Sequence, residues 1–292
     1  MQRWYNAVVA ALIILPGLIF GTAELLAEPR EYLWRAEFNE AAGSLPDSTS
    51  WRFEEGDGTA RNVPGWGNEE LQTYTPEHAA MDGDGHLVIR AEALAPDSGL
   101  DCYYGPCAYA SARLTTNGLL AFQYGRVEAR MRVPGSAGTW PALWSLGNDF
   151  DAVSWPAAGE LDIAEFFGKS PRIVVGALHG PGFFGRSDGT KVHASSQRMS
   201  SDFHVYGMVW TPERVAWTFD GHEYGAITTA DIPASSWVFD KLFFLNLNLA
   251  MGGQFGGSVP ETFTSAELLV DWIRISTVDG HGAVLAGNRV LS

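Results

Sequence analysis

Short runs in which apolar and polar residues alternate recur along the chain: His86 to Glu92 (HLVIRAE), Gly125 to Val133 (GRVEARMRV), Arg214 to Phe219 (RVAWTF) and Leu268 to Ser276 (LLVDWIRIS). Successive side chains of a strand point to opposite faces, so period two predicts strands with one face buried. No long segment carries an apolar face at the helical period. Between the runs lie turn clusters, among them Asp82-Gly83-Asp84-Gly85, Thr116-Asn117-Gly118 and Asp220-Gly221. They predict antiparallel strands joined by hairpins and loops. Such strands bury their apolar faces when two sheets stack, so an all-β sandwich is expected. No repeat, low-complexity linker or shift in composition marks a second domain. One domain over about residues 28–277 is the simplest account. The segment Val278 to Ser292 (VDGHGAVLAGNRVLS) reads as a tail for which the sequence suggests no partner.

The N-terminus departs from this pattern. Arg3 precedes the apolar run Val8 to Ile19, and the small residues Gly21, Thr22 and Ala23 follow, the layout of a signal peptide. Residues 1–27 are assigned to it, with cleavage after Ala23 or Ala27. An uncleaved anchor is the alternative, although the run falls short of the roughly 20 apolar residues of a spanning helix. The remainder is expected to be soluble and exported, to the extracellular space or a periplasm. Cys102 and Cys107, in DCYYGPC, fit an oxidising compartment that permits a disulfide across a short loop. A zinc site would need a second ligand pair.

Composition narrows the partners. Of 292 residues 46% are hydrophobic, enough for a sizeable core, and 34 Asp and Glu against 19 Lys and Arg give a formal charge of −15. That charge, with no basic run to offset it, excludes a nucleic-acid partner. The 11 Trp suit either core packing or the stacking of rings against flat indole faces.

One segment carries chemistry. Glu160-Leu161-Asp162-Ile163-Ala164-Glu165 puts three carboxylates into an otherwise apolar strand. Glu160 and Asp162 share a face, whereas Glu165, three residues on, would point the other way. A β-bulge, by inserting one extra residue, would bring all three to one face. Two carboxyls flanking an anomeric carbon can divide the work of nucleophile and general acid/base. The bland alternative, a polar strand face paired with basic neighbours, suits poorly a chain with so few Lys and Arg.

With its flanks, this segment resembles glycoside hydrolase family 16. Gly159 to Gly168 (GELDIAEFFG) looks like that family's active-site strand in its bulged E-x-D-x-x-E form, as distinct from the regular E-x-D-x-E form. Gly65 to Thr75 (GWGNEELQTYT), Ser111-Ala112-Arg113, Trp140 to Trp144 (WPALW), Phe203 to Trp210 and Leu247 to Gly253 are similar to laminarinase-type segments in the expected order. The resemblance runs from about Glu37 to Arg274. It implies a β-jelly-roll sandwich of two antiparallel sheets with a concave substrate cleft, and endo-acting, retaining hydrolysis of a polysaccharide. Glu160 would be the nucleophile, Glu165 the acid/base, and Asp162 would sit between them as a hydrogen-bonding carboxylate.

Substrate contacts follow from the same resemblance. Trp140 and Trp144, placed in a cleft-lining loop, would stack on sugar rings, with a core role as the rival for Trp144. Asn68, Glu70 and Arg113 would hydrogen-bond hydroxyls, Trp66 would add a stacking surface, and Arg113 could instead neutralise Glu70. His179 and Asn248 are candidate donors that hold a catalytic carboxyl or the substrate. Catalysis needs no cofactor on this reading. A structural Ca²⁺ is expected at Glu37 and Asp271, because the family resembles this chain in placing acidic residues on its first and last strands. The substrate expected is a β-1,3-glucan of laminarin type, acted on by a monomer with no membrane contact beyond the signal segment. The alternatives are a mixed-linkage glucan, an algal galactan, or a non-catalytic glucan-binding lectin. The last is disfavoured because both glutamates are present.

Overall fold

The computed structural model describes residues 31–291, so the assigned signal peptide lies outside the described residues. The described residues form two ten-stranded sheets and a two-stranded hairpin. The first sheet runs, edge to edge, through His222–Thr228, Arg214–Phe219, His204–Thr211, Gly125–Arg132, Ser265–Ser276, Leu87–Ala93, Tyr109–Ser111 and Gln72–Tyr74. The second runs through Thr190–Ala194, Ile173–His179, Glu160–Phe166, Thr139–Gly147, Phe243–Met251, Leu120–Gln123, Ala283–Ala286 and Arg289–Leu291, with Arg113–Thr115 and Arg52–Glu54 joined alongside Phe243–Met251. All pairings are antiparallel except Gln72–Tyr74 with Tyr109–Ser111.

Alternation decides which side chains fill the sandwich. Leu143, Leu161, Leu178, Leu245, Leu247 and Leu249 of the second sheet meet Val127, Met208, Trp210, Trp217, Ile273 and Ile275 of the first in one buried cluster. The intervening residues, Trp140, Ala142 and Trp144 on one strand and Asn246 and Asn248 on the next, face away from that core. Asp220-Gly221 closes the hairpin between Arg214–Phe219 and His222–Thr228, and both residues have positive φ (47° and 79°). This is the left-handed backbone that two-residue hairpins require.

Three expectations change. The segment after residue 277 is no tail: Ala283–Ala286 pairs with Leu120–Gln123, and Arg289–Leu291 pairs with Ala283–Ala286, so the domain continues to Leu291. WPALW lies within the strand Thr139–Gly147 instead of a loop, so Trp140 and Trp144, four apart, share a face. The expected cation pair is already neutralised. Glu37 accepts two hydrogen bonds from Arg274 (2.9 and 2.7 Å), and Asp271 is paired with Arg130. Among the described residues no group of three or more His, Cys, Asp or Glu could hold a metal. This donor set therefore does not fit a calcium ion, which takes six to eight oxygens.

Candidate active site

The carboxylate strand Glu160–Phe166 contains the bulge that its spacing demands. Asp162 pairs with Ala177 and Glu165 with Val175, so Ile163 and Ala164 together oppose the single residue Gly176. On the other side the register slips at the same place, from Asp162 opposite Trp144 to Ala164 opposite Leu143. Leu161, Ile163, Ala164 and Phe166 all enter the core. The parity of the strand has switched, and Glu160, Asp162 and Glu165 face away from the core together.

Each carboxylate has its own donor. Trp155 Nε1 donates to Glu160 Oε2 at 2.6 Å, and Trp140 Nε1 donates to Glu165 Oε1 at 3.1 Å. His179 Nε2 lies 3.1 Å from Asp162 Oδ2. The amide of Gly185 donates to His179 Nδ1 at 3.2 Å. A nitrogen that accepts carries no proton, so this geometry is that of the neutral imidazole with its proton on Nε2, directed at Asp162.

Electrostatics raise both glutamates. Burial, then the charge of Asp162, pushes Glu160 up to about 8, while His179 and the Trp155 N–H pull it back. Burial and the charges of both Asp162 and Glu160 hold Glu165 well above the usual carboxyl range. The two glutamates lie in one field and release their protons as a coupled group. Burial lowers His179 but the Asp162 hydrogen bond and the three carboxylate charges outweigh it, raising the ring to about 9. A second proton on Nδ1 would displace the Gly185 amide, so the loop contact opposes the pull of the carboxylates, and we assign the neutral tautomer on geometry.

The residues expected to bind substrate form one connected wall beside this centre. Trp144 Nε1 donates to Asn248 Oδ1 (2.8 Å), Asn248 Nδ2 to the Tyr74 hydroxyl (3.2 Å), and that hydroxyl to Glu70 Oε2 (3.0 Å). Gln72 and Asn68 also donate to Glu70 (2.7 and 3.4 Å). Burial, partly offset by Arg113, raises the Glu70 carboxyl above its ordinary value. The guanidinium of Arg113 stacks on two indoles, 4.5 Å from the Trp66 ring centroid and 4.7 Å from that of Trp144. Its ion pair is with Glu54 (Nε to Oε2, 2.7 Å), which also takes Arg61 at 2.8 Å. Arg113 thus braces Trp66 and Trp144 instead of resting on Glu70, and one face of each indole is covered. Trp140 is buried against Phe255 (4.9 Å between centroids) and meets the site through its N–H.

Sequence reasoning missed Glu54, Tyr74, Trp155 and the exposed ring Phe184. Trp155 stands 44% exposed, edge-on to Phe184 at 4.9 Å, at the Glu160 end of the site. An aromatic residue five positions before a catalytic-type glutamate was the available signal. At the opposite end the disulfide Cys102–Cys107 closes the small hairpin. Its Tyr103 amide donates to Asp57 (2.6 Å) and its Tyr104 hydroxyl to the Leu71 carbonyl (2.5 Å), clamping the segment that bears Trp66, Asn68 and Glu70.

Comparison with known proteins agrees with this geometry. The chain is 36% identical over 260 residues to a beta-glucanase of Rhodothermus marinus, covering 84% of each protein. The laminarinase catalytic domain from Thermotoga maritima superposes with a TM-score of 0.78 at 36% identity, over 86% of this chain and 99% of that one. The endo-beta-1,3-glucanase from Pyrococcus furiosus gives 0.77 at 38% identity, over 85% and 95%. The family model for glycosyl hydrolases family 16 matches residues 68–273, a span that contains all three carboxylates and the wall residues from Asn68 to Asn248, and the chain belongs to that family.

Proposed function

We propose that the protein is an endo-acting hydrolase of β-1,3-glucan that retains anomeric configuration. The bulged strand carries this reading: it sets two glutamates on one face, with an acidic residue between them and an indole N–H on each. In the first step a carboxylate oxygen of Glu160 bonds to the anomeric carbon as the glycosidic C–O bond breaks, and the Glu165 proton passes to the departing oxygen. In the second, water gives its proton to Glu165 while its oxygen attacks the same carbon, and the ester to Glu160 breaks. Asp162, held by His179, maintains the negative field that keeps Glu165 protonated until it is needed. The charge of −15 favours a neutral glucan over sulfated polymers.

Glu160→Gln is expected to lower laminarin hydrolysis by about three orders of magnitude while glucan binding persists. Unchanged hydrolysis would sink the assignment. The same reading takes the chain as exported, in keeping with its bonded Cys102 and Cys107. Mass spectrometry of the protein recovered outside the cell should find a new N-terminus at Glu24 or Glu28.

A further inference from the structure

The bulge has a partner on the far side of the sandwich. Trp217, on the strand Arg214–Phe219 of the first sheet, is fully buried, and its Nε1 donates to the backbone carbonyl of Asp162 at 2.7 Å. A carbonyl in a regular ladder lies in the plane of its sheet and is used by the neighbouring strand. An indole rising from the opposing sheet can reach it only where the peptide is turned out of that plane, as at a bulge. Asp162 is the last residue before the register shift.

Gly176 makes the approach possible. It stands opposite Ile163 and Ala164 on the core side of its strand. A Cβ there would lie 2.1 Å from Trp217 Cδ1 and 2.2 Å from Nε1. No side chain fits between the indole and the backbone. The missing Cβ, the turned carbonyl and the buried N–H therefore form one device.

We propose that Trp217 is a positioning residue for the reaction: by holding the Asp162 peptide out of the ladder, its N–H fixes the bulge that turns Glu165 toward the same face as Glu160. The inference rests on the glycosidase reading above, and wild-type activity on laminarin tests that reading separately. Trp217→Phe keeps a buried ring but removes the N–H. It is expected to stay folded and to lose about tenfold in kcat with KM for laminarin within twofold, because substrate contacts remain while the acid is displaced. The alkaline limb of its kcat/KM profile should also move, since the distance from Glu165 to Asp162 and Glu160 changes. A folded W217F with wild-type kcat and an unmoved alkaline limb, whatever its melting temperature, would overturn the proposal. Should W217F not fold, the wild-type enzyme labelled with 15N-tryptophan supplies the test. The Trp217 indole N–H is expected to exchange as slowly as the core amides. Rapid exchange in active enzyme would overturn the proposal equally.

Discussion

Glu160 destabilises the fold that it serves. Its folded pKa of about 8 lies above the ordinary 4.5, so between those values the native state binds more protons than the unfolded chain. Stability contributed by this group is therefore full below about pH 4.5 and falls as pH rises toward 8. Glu160→Gln removes the titration, and its thermal unfolding midpoint should exceed that of the parent at about pH 8.5 while matching it near pH 4. Equal midpoints at both would contradict the burial argument. Asp162→Asn acts on the pair. Removing that charge lowers the proton affinity of both glutamates. Both limbs of the kcat/KM profile should shift toward acid, as macroscopic values of the group. At this scale the three carboxylates were legible, because charges in an apolar strand stand out against their neighbours. Glu54, Tyr74 and Trp155 were not, since what each contacts is decided by strands distant in sequence.

The wall of the site depends on how several strands meet. Arg113, Glu54 and Asn248 occupy one row across three strands, with Asn248 opposite Arg113 and Glu54 opposite Arg113. A guanidinium can lie flat between two indoles and still present an edge to a carboxylate, which an ammonium cannot. Arg113→Lys should therefore raise KM for laminarin about tenfold and change kcat less, as steady-state kinetics would show. A larger fall in kcat than rise in KM would mean that Arg113 acts on the reacting centre. The bulge could be deduced from the spacing of the acids, because only one extra residue puts Glu165 on the face of Asp162. WPALW was harder to read. Its proline suggests a break, yet Pro141 sits in the strand opposite Leu249. Alternation over Ala283–Ala286 and Arg289–Leu291 is too short to stand out from a loop, so pairing with Leu120–Gln123 was visible only in three dimensions.

For the whole molecule, those last strands matter to stability. Removing residues 278–292 would uncover the edge of Leu120–Gln123 and take the buried Val284 out of the core. Truncation after Thr277 is expected to lower the melting temperature by at least about 5 °C, on the scale of a few kcal/mol lost from a domain of this size. A truncated chain that melts with the parent would show the last strands to be dispensable. Reduction of Cys102–Cys107 should act elsewhere, loosening the clamp on the segment that bears Trp66, Asn68 and Glu70. Its expected signature under dithiothreitol is a several-fold rise in KM with kcat nearly unchanged. The net charge and the two-sheet sandwich could be read from composition and alternation. The clamp could not, because nothing in DCYYGPC indicates where the hairpin lands.

The bulge also makes the site tolerant of a change in chain length. Deleting one residue from most strands turns everything beyond it inside out. Deleting Ile163 would instead leave Ala164 opposite both Leu143 and Gly176, with Asp162 and the glutamate keeping their present neighbours on both sides. The three carboxylates would still share a face, now at the two-residue steps of an unbulged strand. The register on either side would already be correct, and only the Asp162 peptide would need to turn back into the ladder. An indel of one residue at this point thus separates two alternative spacings of the same acids on the same scaffold.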